Sequence, residues 1–110
     1  MRVTFQVQGS AEQPYDVTVS FDPPANLTAT CTCPAGVMHQ YCKHRFSVLS
    51  GDLTDIVSPN ADQVAAVCEW IKGSDVERAM GEVRDLEADL ELVKRRLGAA
   101  KKLVARAMMD

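Results

Sequence analysis

A chain of 110 residues holds one domain, or a small domain with an appendage, and excludes a Rossmann unit with a substrate domain or a TIM barrel. Apolar residues make up 46% and charged residues 25%, but aromatics only 5%, so the core must be drawn from Ala, Val and Leu; that favours helix packing over a large aromatic sandwich. The net charge of -3 argues against a uniformly basic nucleic-acid binder. No apolar run approaches the roughly 20 residues of a membrane span, and the N-terminus reads as a strand and not as a signal peptide, so the expectation is a cytoplasmic chain without a membrane role.

The first third has a period of two. Val3, Phe5 and Val7 alternate with polar residues, and so do Tyr15, Val17, Val19 and Phe21. Each run gives a half-buried antiparallel strand, with Gly9 to Pro14 as the hairpin loop. Asp22-Pro23-Pro24 stops the second strand, because proline cannot donate to the ladder. Leu27 to Cys33 is a third short strand or a continuation after a bend. The rest is helical. Gln40 to Ser50 forms one helix, with Gly51 just past its end. Asp52 to Val57 is a connector. Ser58-Pro59-Asn60 supplies capping chemistry for a helix to about Lys72, with Val64, Val67, Cys68 and Ile71 inward. Ser74 and Glu77 have capping-box spacing for a last helix from Asp75 to about Met109. The fold class is therefore α+β: a ββα unit over residues 1–57, then a helical hairpin over 58–110 with a long coiled-coil-like C-terminal helix.

Cys31, Cys33 and Cys42 lie within twelve residues, in CTCPAGVMHQYCKH. In a reducing compartment, clustered cysteines beside histidine read as a metal site before disulfides. Cys31, Cys33, Cys42 and His44 give three thiolates and one imidazole, a set suited to one tetrahedral, structural Zn2+. Residues two apart on a strand face one way, so Cys31 and Cys33 can share a metal at a strand end, with Pro34 turning the chain away. Two apart inside a helix they would splay, so Cys42 belongs at or just before a helix N-terminus and His44 in its first turn. Unpaired N–H groups there favour thiolate charge. The linking residues form a loop centred on Gly36. His39, in that loop, is the competing fourth ligand, with a solvent-exposed role preferred. Cys68 reads as a small core residue, and Trp70 as helix–helix packing or a partner anchor.

Cys-x-Cys, a variable loop and Cys-x-His, with strands ahead and a helix behind, resemble the SWIM-type zinc finger from about Val3 to Leu49. That resemblance implies a ββα-type finger ligating zinc through Cys31, Cys33, Cys42 and His44. It also implies DNA-binding or protein-interaction roles, in some members within recombination-mediator complexes. The helical segment after about Ser58 lies outside it.

Val76, Ala79, Val83, Leu86, Leu90, Val93, Leu97, Ala100, Val104 and Ala107 follow at alternating steps of three and four, an unbroken heptad seam. The preceding helix is too short to cover it, so the expected partner is a protein or a second copy, docked through Val76, Val83, Leu86, Leu90, Val93, Leu97 and Val104. Acidic residues fill the helix's first half and Lys94, Arg95, Arg96, Lys101, Lys102 and Arg106 its second, so self-pairing is expected to be antiparallel. The same six basic residues are the only nucleic-acid patch, a reading ranked second because they spread around the helix without aromatic neighbours. Through Asn60, Arg2, Lys43 and Arg45 stand against five acids, and a four-ligand zinc offers no open position, so no enzyme is expected.

Overall fold

The computed structural model describes residues 1–109. It is a mixed α+β chain, with two compact units by internal contact: Met1–Glu77, and a second beginning at Arg78.

The first unit opens with a three-stranded antiparallel sheet in the order β1 (Arg2–Val7), β2 (Tyr15–Asp22), β3 (Asn26–Cys31). The alternation sets its register. Val3 faces Val19, and Phe5 faces Val17; across β2, Val17 faces Cys31 and Val19 faces Ala29. These odd-numbered positions share one face of the pleat, and Val3, Phe5, Val7, Val17, Val19, Leu27 and Cys31 are all buried on it. Cys31 is thus a core position as well as a strand end. The third strand settles the choice left open for Leu27 to Cys33, except that it stops at Cys31.

Four helices follow. The short α1 (Pro34–Val37) occupies the segment expected to be loop. Pro34 sits at a first-turn position, where its missing N–H costs nothing, and the Cys33 thiol caps it in place of the usual oxygen. Helix α2 (Lys43–Leu49) starts at Lys43, three residues later than Gln40, and ends in a Schellman closure. Gly51 takes φ +85°, its N–H reaches the Val48 carbonyl, and the Asp52 N–H reaches the Ser47 carbonyl. A 3-10 turn (Ala61–Gln63) leads into α3 (Val64–Ile71), and α4 runs from Asp75 to Met109. Val48 and Leu49 of α2 and Val64, Val67 and Ile71 of α3 complete the core, while Cys68 is only half-buried.

Two expectations give way to long-range contacts. Ser58 and Asn60 do not cap α3. The Gln6 N–H donates to Ser58 Oγ at 3.0 Å, and Asn60 Nδ2 donates to the Thr4 carbonyl at 2.9 Å. With Gln8 N–H on the Asp55 carbonyl and Val57 N–H on the Gln6 carbonyl, each at 2.8 Å, residues 55–60 cover the free edge of β1. An open edge would otherwise offer unpaired backbone groups to other chains. Trp70 stacks on Phe21 of β2, with ring centroids 5.8 Å apart and planes 7° apart, so its ring lies on the sheet. At the start of α4, Ser74 Oγ accepts the Glu77 N–H at 3.2 Å while Glu77 reaches back to the Gly73 N–H at 3.1 Å, a capping box displaced by one residue.

Candidate metal centre

The last strand, the first helix turn and the start of α2 converge at one end of the sheet. Cys31 is the final residue of β3, Cys33 caps α1 through its sulfur, Cys42 stands at the N-cap position of α2 without a capping hydrogen bond of its own, and His44 lies in the first turn of α2. Their ligand atoms all lie within 4.8 Å of one another. Cys33 Sγ and Cys42 Sγ are 3.4 Å apart, His44 Nδ1 is 3.6 Å from Cys42 Sγ and 3.9 Å from Cys31 Sγ. Tetrahedral zinc with bonds near 2.3 Å needs sulfurs about 3.8 Å apart, so the cluster is already close to its bound dimensions. The three cysteines are buried and His44 is half-buried. His39, at φ +58° and exposed, lies outside the cluster, as does Cys68.

Local backbone groups aim at the sulfurs. The Cys33 N–H approaches Cys31 Sγ at 3.5 Å, and the Gly36 N–H approaches Cys33 Sγ at 3.2 Å. The first of these favours the Cys31 thiolate, against the burial that opposes it. Residues outside the ligand set hold the pieces together. Arg45 donates to the Ala29 carbonyl at 3.4 Å and to the Gln40 carbonyl, tying α2 to β3 and to the loop. Tyr15 lies against the His44 ring, centroids 4.9 Å apart. A Cβ on Gly9 would stand 2.6 Å from the Tyr15 ring and 2.7 Å from His44 Nε2, so any side chain there would have to push those two rings aside. Sequence spacing carried no sign of Gly9, Tyr15 or Arg45 at the site, since each meets it only through the folded sheet.

The donor chemistry fits zinc. Burial pushes the Cys31 thiol up to about 12. Burial also works against ionising Cys42, but the Arg45 N–H and hydrogen bonds from Cys33, His44 and Cys31 outweigh it and bring that thiol down to about 6. Three buried sulfurs so close together cannot all ionise without a cation among them, and Zn2+ with three thiolates and a neutral imidazole leaves a net charge of only -1. His44 turns Nδ1 toward the sulfurs, while its Nε2 is buried with no hydrogen-bond partner, so the ring is committed to the cluster. Zinc would bind Cys31, Cys33, Cys42 and His44 and supply structural cross-linking.

The proton balance gives a testable pH dependence. At neutral pH the metal-free Cys31 is protonated and Cys42 ionised, so zinc must displace at least the Cys31 proton. Falling pH therefore weakens binding by roughly tenfold per unit for each proton displaced, and more steeply below about 6, where Cys42 also takes up a proton. Zinc transfer to a chromogenic chelator, followed from pH 8 to 5, should show that steepening; a flat profile would contradict it.

A closed three-sulfur, one-nitrogen site joining a sheet end to a helix start defines a small structural zinc finger. Residues 15–50 match the family model of the SWIM zinc finger, and the chain carries that finger with Cys31, Cys33, Cys42 and His44 grouped as its metal site. The match is narrower than the resemblance drawn from the sequence, since β1 lies outside it. No curated protein and no solved structure matches the chain.

Proposed function

We propose that the chain is a non-enzymatic interaction module, in which a zinc-stabilised finger is joined to a helix that assembles with a second copy or with a protein partner. The observation that carries this reading is the seam of α4. Leu86, Leu90, Val93, Leu97 and Val104 are each more than half exposed and lie on one stripe at heptad spacing. A stripe of that length calls for a partner. Four protein ligands around zinc leave no position for water or substrate, which supports a structural role. Free thiols and the absence of any described helix long and apolar enough to cross a membrane suit a reducing, cytoplasmic setting.

The variant L90E/L97E tests this. Each buried leucine contributes about 1.5–3 kcal/mol, so losing two should weaken assembly at least about a hundredfold. The wild-type chain is expected to sediment above its own mass or to retain a protein partner. The variant should sediment as a monomer, retain no partner and keep its zinc. Identical mass and identical captured proteins for the two would overturn the reading.

A second reading, nucleic-acid binding, rests on Lys94, Arg95, Arg96, Lys101, Lys102 and Arg106, which are all exposed. It predicts retention of the chain on a nucleic-acid column with a steep loss as salt rises.

A further inference from the structure

We infer that the occupant of the α4 seam is a second copy of this chain, running antiparallel and centred between Glu91 and Leu92. The inference rests on reading the tail as an assembly surface, and goes further by naming partner, direction and register. Two independent features of the helix select it.

The first is side-chain volume along the seam. In a parallel pair, equivalent positions meet, so Ala79 would face the partner's Ala79 and Ala100 the partner's Ala100, leaving thin, poorly filled layers. In an antiparallel pair centred at 91–92, facing positions sum to 183. Ala79 then meets the partner's Val104, and Val83 meets the partner's Ala100. Leu86 meets the partner's Leu97, and Leu90 meets the partner's Val93. Small residues face branched ones, and the large residues occupy the middle layers.

The second is charge beside the seam. Glu82, Glu87 and Asp89 flank it on the N-terminal side, and Lys94, Arg96 and Lys101 on the C-terminal side. A parallel pair sets Glu82 against the partner's Glu87 and Arg96 against the partner's Lys101, with only Asp89 and the partner's Lys94 attracting. The antiparallel register sets two of the three acids against the partner's bases, while Glu82 and Lys101 fall beside the partner's Leu103 and the partner's Met80 and meet no like charge. Glu87 lies beside the partner's Lys94, and Asp89 beside the partner's Arg96, each pair made twice by symmetry. Sliding the partner one heptad toward its C-terminal half instead gathers basic residues at the centre. All six flanking side chains are exposed.

Equal amounts of unlabelled and nitrogen-15-labelled full-length, zinc-loaded chain are mixed and joined with a zero-length carbodiimide. Sedimentation should give twice the chain mass, and isotopically mixed peptides should link Glu87 to Lys94. Within one helix those residues are seven apart, about 10 Å, and a link formed inside one chain would carry a single isotope, so only the mixed peptides report the partner. In addition, E87K/D89K should dimerise about tenfold more weakly alone and recover on mixing with K94E/R96E. Mixed-isotope links between Asp89 and Lys94, without Glu87–Lys94, would mean a parallel dimer; they would overturn this orientation while leaving the tail as an assembly surface. A monomer, or an assembly larger than two, would overturn the second copy as sole occupant. The assembly reading falls with it only if L90E/L97E also leaves mass and partner capture unchanged.

Discussion

C42S is expected to purify without stoichiometric zinc and with the Met1–Glu77 unit unfolded or loosely packed, and metal chelation of the wild type should have the same result. The largest fully buried side chains, apart from Ser74, are Phe5, Val17, Val19, Val48 and Val67, a single aromatic and four valines. A core of that size leaves little margin once chain entropy is counted. A structural zinc in a small finger contributes about 10–16 kcal/mol at neutral pH, comparable to the whole stability of an ordinary domain. Serine keeps its proton at neutral pH and so cannot replace the thiolate between Cys33 and His44. The readout should be local to the finger, because α4 holds most of the helical residues and would dominate far-ultraviolet dichroism. Trp70 is the only tryptophan and stacks on Phe21, so its emission reports whether α3 still lies on the sheet. The expected result is zinc near zero by elemental analysis and a red-shifted, non-cooperative Trp70 signal on heating. A C42S protein with one zinc per chain and wild-type Trp70 emission would mean that Cys42 is not a ligand.

What could be read from the sequence was what depends on near neighbours. The alternation of Val3, Phe5 and Val7 and of Val17 and Val19 needs only a two-residue period, and the sheet follows it position by position. The two Cys-x-ligand pairs are equally local: a strand end and a helix start each restrict where side chains two apart can point, and the structure places Cys42 at the N-cap position of α2 with His44 in its first turn. The continuous helix from Asp75 came from the same kind of repetition. Short-range chemistry could still mislead when its partner was unusual. Helix α1 was hidden because its capping group is the Cys33 sulfur, while the familiar signals are Ser, Thr, Asp and Asn; Pro34 in the first turn was the available clue. Other features depend on contacts far along the chain. Ser58 and Asn60 carry capping side chains, but Gln6 and Thr4, more than fifty residues earlier, take them. Gly9 looks like any hairpin glycine until Tyr15 and His44 close around it.

Gly36→Ala sets two opposed effects against each other, and the metal centre decides which wins. In a helix, exchanging glycine for alanine ordinarily stabilises by about 0.5–1 kcal/mol, because glycine loses more backbone freedom on folding. At Gly36 the added Cβ would lie 2.4 Å from the Cys31 carbonyl oxygen, 2.8 Å from Cys31 Cβ and 2.9 Å from Cys31 C. Two of these are main-chain atoms of a strand whose register is fixed by β2, so they cannot turn aside as a flexible side chain would. The strain must instead open the gap between α1 and β3. The Gly36 N–H then withdraws from Cys33 Sγ, and Cys33 moves away from Cys31, so the cost falls on the sulfur spacing that zinc requires. Overpacking of this kind costs roughly 1–3 kcal/mol, more than the helix gain. G36A should therefore bind zinc about ten- to a hundredfold more weakly in competition with a chelator, and melt at lower temperature. Gly81→Ala and Gly98→Ala in α4 supply the contrast, since a Cβ at either position meets nothing within 4 Å. There only the conformational gain remains, and each should raise helix stability by about 0.5–1 kcal/mol without altering zinc affinity. Equal zinc affinity for G36A and the wild type would show that β3 and α1 can separate freely, and that the sulfur spacing does not depend on their close approach.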